Sequence, residues 1–300
     1  MKYVKYHGLG NDYLVIRPDD IVGELETSQI QRICHRNYGV GADGILIGPL
    51  HSDTCGFRLR ILNPDGSEAE KSGNGIRIFS RYLYEQGLVD ESIFTVQTLG
   101  GIVTCHVHDS GKTVTVGMGT VSFLSTLIPV TSEKREVLRE HIDIAGKQFE
   151  YYAVTVGNPH CVVLSEPVSS ELAIKFGPLI EVDSRFPNRT NVQFMEIIDR
   201  RNIQIEIWER GAGYTLASGS SSTAAAAVAY RLGLCDPVIN VHMPGGNLAI
   251  SFSEDFIATM TGPVTHVCDG RMDLEMFDDE TASNYAFQSD GNSDAIQVRR

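Results

Sequence analysis

The chain carries the same polar landmarks twice, in the same order. Gly10-Asn11 and Gly157-Asn158 each open an apolar run, Tyr13-Leu14-Val15-Ile16 in one case and Cys161-Val162-Val163-Leu164 in the other. Asn63-Pro64-Asp65-Gly66 is answered by Glu209-Arg210-Gly211-Ala212, and Ser72-Gly73 by Ser218-Gly219. Gly87-Leu88 corresponds to Gly233-Leu234, Gly100-Gly101 to Gly245-Gly246, and Val114-Thr115-Val116-Gly117 to Thr259-Met260-Thr261-Gly262. Ordered matches at a nearly constant offset of about 146 residues indicate a duplicated domain, and the period is too long for a solenoid unit. This reading divides the chain into a first repeat domain over 1–120, a linker over 121–149, a second repeat domain over 150–266 and an acidic polar tail over 267–300. The tail's composition predicts disorder or loose docking.

Within each repeat the hydrophobic pattern has the same plan. Phe57–Leu62 and Asn202–Trp208 alternate polar and apolar residues, as half-buried strands do. Ile76–Leu83 is apolar at helical spacing, and its counterpart Thr223–Leu232 is rich in alanine, the strongest helix former. Gly87 and Gly233 stand where these helices should stop. Strands, one central helix and further strands predict an α+β fold of two pseudo-symmetric domains, each a barrel-like sheet around a central helix.

Composition narrows the function classes. The net charge of −13 argues against coating nucleic acid or an anionic membrane, which basic surfaces do. A hydrophobic content of 42% with 21% charged residues is ordinary for a globular chain. No stretch approaches a membrane span, and the first residues lack an apolar signal core, so a cytoplasmic chain is expected. Its six cysteines are widely spaced, with no C-x-x-C pair, which predicts reduced thiols and no structural zinc. No metal or organic cofactor is implied, because no His/Cys/Asp cluster has ligand spacing and no separate cofactor-binding domain is present.

The chemistry concentrates at two helix starts, Ser72-Gly73-Asn74-Gly75 and Ser218-Gly219-Ser220-Ser221-Ser222. A helix start offers unpaired backbone N–H groups and a partial positive charge. Small residues there let an anion approach. Local spacing fits ordinary capping by serine as well as an anion cradle. If two related halves face one another, Ser72 and Ser218 lie on opposite sides of whatever is bound. Asn11, Asn63, Asn158, His160, Asn191, Glu209 and Arg210 are the other polar candidates. Arg210 suits bidentate capture of a carboxylate.

Together these segments resemble the diaminopimelate epimerase family. The likeness rests on His7–Asp12, Gly39–Gly44, Asn63–Glu68, Gly73–Gly75, Val156–His160, Arg189–Val192, Trp208–Gly213, Met243–Gly246 and Met260–Pro263, and spans about residues 3–266. It implies a cleft between two halves and a cofactor-independent amino-acid epimerase that moves a proton between the two faces of Cα, with LL-/meso-diaminopimelate as substrate. It further implies that Asn11, Asn63, Asn158, Asn191, Glu209 and Arg210 line the substrate site. Gly73, Asn74, Gly219 and Ser220 should offer N–H groups to the reacting carboxylate, and His160 and Glu209 should support the acid/base pair. The expected partner is a small amino acid, with no nucleic acid or membrane; a homodimer is the candidate assembly.

The chain departs from this family at the two catalytic cysteines, whose positions hold Ser72 and Ser218. A thiol titrates near 8.5 and an aliphatic hydroxyl far higher, so forming the base costs about 7 kcal/mol more. Three readings follow: an epimerase using Ser72 and Ser218 or other groups, a diverged isomerase or lyase acting on another amino acid, and an amino-acid-binding protein that has lost the chemistry.

Overall fold

A computed structural model describes residues 1–277. The first half comprises β1 (Lys2–Gly8), β2 (Asn11–Ile16), α1 (Thr27–Cys34), β3 (Ile45–Leu50), β4 (Phe57–Leu62), α2 (Gly73–Glu85), β5 (Phe94–Thr98), β6 (Gly101–His108) and β7 (Thr113–Thr120). After β8 (Glu140–Ile144), the second half repeats the order. It contains β9 (Lys147–Thr155), β10 (Pro159–Leu164), α3 (Ser170–Glu181), β11 (Asn191–Asp199), β12 (Asn202–Glu209), the short β13 (Gly213–Thr215) and α4 (Gly219–Arg231). It closes with β14 (Val238–Met243), β15 (Gly246–Phe252), β16 (Ile257–Pro263) and β17 (Thr265–Arg271). The fold is α+β, with two duplicated domains whose sheets wrap the central helices α2 and α4.

The central helices form for different reasons. In α2, Ile76, Phe79 and Leu83 are fully buried at helical spacing, and the Ser72 side chain caps the first turn. In α4, Ser221, Ser222 and Thr223 through Ala229 are all buried. Only small side chains allow a helix to be sheathed so closely by sheet. Gly87 and Gly233 take φ of +68° and +71° just past the helix ends, a conformation that glycine adopts without a Cβ clash.

Two outer helices escape the sequence pattern. α1 buries only Ile30, Ile33 and Cys34, and α3 buries a stripe including Ala173, Phe176 and Ile180. Each covers one face of its half.

The boundaries also differ from those expected. Residues 121–149 are not a bare linker. They bury Val121, Phe123, Ile128, Val130 and Val137, and contain β8 and the start of β9. Nor does the tail begin at 267, since β17 pairs with β1 from Lys2 opposite Arg271 to His7 opposite Thr265. These two segments are equivalent. β8 follows the first half but pairs with β9 of the second, and β17 follows the second half but pairs with β1 of the first. Each half thus receives a covering strand from the other, which satisfies a sheet edge. The strand is polar because most of its residues remain exposed, and polarity was mistaken for a loose tail. Residues 278–300, the rest of that expected tail, lie outside the described residues. The halves are further joined by antiparallel pairing of β7 with β16.

Candidate active site between the two halves

The starts of α2 and α4 meet where the halves join. A Cβ at Gly73 would come within 2.7 Å of Met260 Cε, and one at Gly219 within 2.8 Å of Met260 Sδ and 3.9 Å of the Gly73 Cα. Glycine at both positions permits this approach. The meeting point opens on a cavity of about 770 Å³. Asn11, Asn63, Ser72, Gly73 and Asn74 enter it from the first half. Asn158, Glu209, Arg210, Ser218, Gly219 and Ser220 enter it from the second.

Both serines cap their helices while lining the cavity. Ser72 Oγ accepts from Gly75 N at 3.0 Å, and Ser218 Oγ from Ser221 N at 3.5 Å. Capping and an anion cradle are therefore compatible, because the cap serves the third N–H group. The first two, on Gly73 and Asn74 or on Gly219 and Ser220, have no acceptor inside the helix.

Beyond the serines the surroundings diverge. Tyr13 OH is 3.1 Å from Ser72 Oγ, and burial pushes its phenol up to about 12. Glu209 lies against Ser218. Burial raises its carboxyl above the usual range, while the hydroxyls of Ser218 and Thr215, the latter at 3.2 Å, pull the other way. The two asparagines that open the repeats are held differently as well. Asn11 donates to Asp43 Oδ2 at 2.9 Å, and Asp43 belongs to an ionic knot with Arg36, Asp12 and Lys5. Burial opposes the charge on Asp12, but Arg36 and Lys5 outweigh it and hold the carboxyl at about 2. Asn158 instead pairs with His160 Nε2 at 3.0 Å.

His160 and Asn191 stand behind the lining. His160 is fully buried, and burial lowers its pKa to about 3, so near neutral pH it neither reaches the cavity nor carries charge. It cannot act as an acid/base partner from that position; it orients Asn158. Asn191 donates to Pro159 O at 2.9 Å and accepts from Arg210 N at 3.0 Å, which fixes the backbone from which Arg210 extends.

The sequence reading missed Tyr13, Lys71 and Arg77. Tyr13 and Lys71 line the cavity. Tyr13 is hidden inside an apolar strand run, and Lys71 looks like a surface lysine until the fold turns it inward. Arg77 is fully buried, donates to Asn74 Oδ1 at 2.9 Å and contacts Met260 Sδ at 3.3 Å. Burial alone lowers its pKa to about 10, and its Nε has no partner. A cation one turn behind the α2 start adds to the positive potential there. Among the described residues no His, Cys, Asp and Glu side chains gather to hold a metal, and no helix is long and apolar enough to cross a membrane.

Comparison with known proteins bears on the family and the fold. The diaminopimelate epimerase family profile matches residues 3–124 and 152–267. A protein named diaminopimelate epimerase 2 from Nostoc sp. is 58% identical, covering 95% of this chain and 100% of the relative. A diaminopimelate epimerase from Desulfitobacterium hafniense is 41% identical over 90% of this chain and 97% of its own length. Among solved structures, a probable proline racemase from Agrobacterium radiobacter matches with a TM-score of 0.65 at 17% identity, over 92% of this chain and 94% of the other. A PhzF-family phenazine biosynthesis protein from Bacillus anthracis matches at 0.62 and 15%, over 91% and 99%; these two share the fold. On the strength of the profile and the curated relatives, this chain belongs to the diaminopimelate epimerase family, whose members are cofactor-independent amino-acid epimerases.

Proposed function

We propose that the chain epimerises an amino acid of the diaminopimelate type by moving a proton between the two faces of Cα. The observation that carries this reading is the meeting of two helix starts, each bearing a serine, around one cavity. The α-carboxylate sits on the N–H groups of Gly73, Asn74, Gly219 and Ser220. Two positive helix ends and the buried Arg77 favour the dianion that forms when Cα loses its proton. Arg210 and the asparagines Asn11, Asn63 and Asn158 hold the remaining polar groups of the zwitterion. Ser72 and Ser218 flank Cα. Behind Ser218, the raised carboxyl of Glu209 exchanges protons through the hydroxyl, so no free serine alkoxide is required on that face. The 41% and 58% identical relatives named diaminopimelate epimerase support the choice of substrate.

The test is proton exchange at Cα in heavy water, followed by NMR over a panel of amino acids that includes diaminopimelate. Deuterium uptake with inversion is the expected outcome. A product of different mass would favour a lyase or other isomerase, and binding with neither change would favour a binding protein.

A further inference from the structure

The site described so far has a proton reservoir on one face only. Glu209 serves Ser218, whereas its repeat counterpart in the first half is Asn63, which cannot take up a proton. The tyrosine beside Ser72 is a poor base, and serine itself a worse one. Besides Tyr13, two ionisable side chains of the first half line the cavity, the exposed carboxylate of Glu70 and the half-buried amine of Lys71. Lys71 directly precedes Ser72, and its repeat counterpart is Ala217, so the amine is unique to the first face.

Lys71 is half-buried, and among the described residues it forms no ion pair with a carboxylate. Its Nζ is held by two backbone carbonyls at the end of β7, Gly117 O at 3.2 Å and Met118 O at 3.1 Å. A neutral amine has two N–H bonds and one lone pair. The two carbonyls accept two N–H bonds in either protonation state, so the third position on Nζ is left for the lone pair of the amine or the extra N–H of the ammonium. Met118 lies against Gly73, which ties the carbonyl pair to the start of α2.

We propose that Lys71 is the catalytic proton carrier of the first face, exchanging the Cα proton with the substrate beside Ser72. This rests on the epimerase reading given above. Neutral Lys71 takes the Cα proton as H⁺, and the bond's electron pair stays on the substrate, spread into its α-carboxylate. Ser218 delivers its hydroxyl proton to the opposite face and is replenished from the Glu209 carboxyl. One proton thus moves onto Lys71 and one leaves Glu209, and the reverse reaction starts from the charged pair so formed. Burial lowers the lysine and raises the glutamate, which favours the neutral form of each group. The titratable and charged groups around Lys71 are Cys105 on β6, Glu70 beside it in the chain, and Tyr13, Glu209 and Arg210 across the cavity.

The test uses the full chain and variants Lys71→Met and Lys71→Arg, with each epimer of diaminopimelate supplied separately in heavy water. Calorimetry with the same compound checks binding, and the arginine variant keeps the charge and bulk while lacking an accessible neutral form. Wild type is expected to exchange both epimers. Both variants should bind substrate and lose epimerisation at least 100-fold, while retaining exchange without inversion from the one epimer whose hydrogen faces Ser218. Epimerisation by Lys71→Arg near the wild-type rate would overturn the proposal, because a fixed cation would then suffice. So would equal loss of exchange from both epimers. Absence of exchange in wild type would instead overturn the epimerase reading on which the proposal stands.

Discussion

The two halves share a backbone plan yet bring different chemistry to equivalent places. Tyr13 and His160 occupy matching positions at the start of β2 and β10, but the tyrosine faces the cavity and bonds Ser72, whereas the histidine is sealed behind Asn158. Asn63 matches Glu209, and Lys71 matches Ala217. Arg77 in α2 matches Thr223 in α4, whose hydroxyl simply returns to the Gly219 carbonyl at 2.8 Å. Duplication supplies two facing helix starts and a shared cavity. A reaction that must distinguish two faces of one carbon then needs unlike groups, and these are placed where the repeat symmetry is broken.

The largest effect that would break this comparison is at Glu209. Glu209→Gln removes the second face's proton reservoir while keeping its shape, and should lower the epimerisation rate by about 10²–10⁴. Asn63→Gln in the matching position should cost far less. Progress curves for both variants under saturating substrate check the contrast.

Restoring thiols sharpens it. The double variant Ser72→Cys with Ser218→Cys should speed Cα exchange by about tenfold or more, because a thiol at a helix start ionises far more readily than a hydroxyl. Taken singly, Ser218→Cys should gain more than Ser72→Cys if Lys71 already serves the first face. If the double variant still binds substrate but exchanges no faster, serine does not limit the site.

Packing of the helix starts should also be unequal. Alanine at Gly219 meets both Sδ and Cε of Met260, whereas alanine at Gly73 meets chiefly the mobile methyl end. Overpacking of this kind costs about 1–3 kcal/mol. Gly219→Ala should lie at the upper end and Gly73→Ala at the lower, as read by urea unfolding.

The last contrast concerns acid stability. His160 has a folded pKa of about 3, below its unfolded value, so the unfolded chain binds the proton more readily and stability falls as pH drops from about 6.5 towards 3. Asp12 is also depressed, to about 2. Its stabilisation is present above its unfolded value and is lost as pH falls below about 4. His160→Gln should flatten the unfolding free energy between pH 6.5 and 4 and leave the steeper loss below pH 4 in place.

Much of this was legible without coordinates. The repeated landmarks gave two halves, Ser72 and Ser218 as helix starts, and Gly87 and Gly233 as helix ends. All of these depend on short-range rules of capping and backbone freedom. The outer helices were missed because each presents only a narrow apolar stripe, as α1 does with Ile30 and Ile33. The covering strands were missed because an edge strand such as β17 is polar along most of its length.

The sequence by itself determined the duplication and the residue types available at each helix start, since those follow from spacing along the chain. The tertiary structure alone decided which side chains share the cavity. It turned Lys71 and Tyr13 inward, buried His160 and Arg77, and exchanged β8 and β17 between halves. Contacts between residues far apart in the chain depend on how two sheets close around two helices. No local pattern encodes that closure.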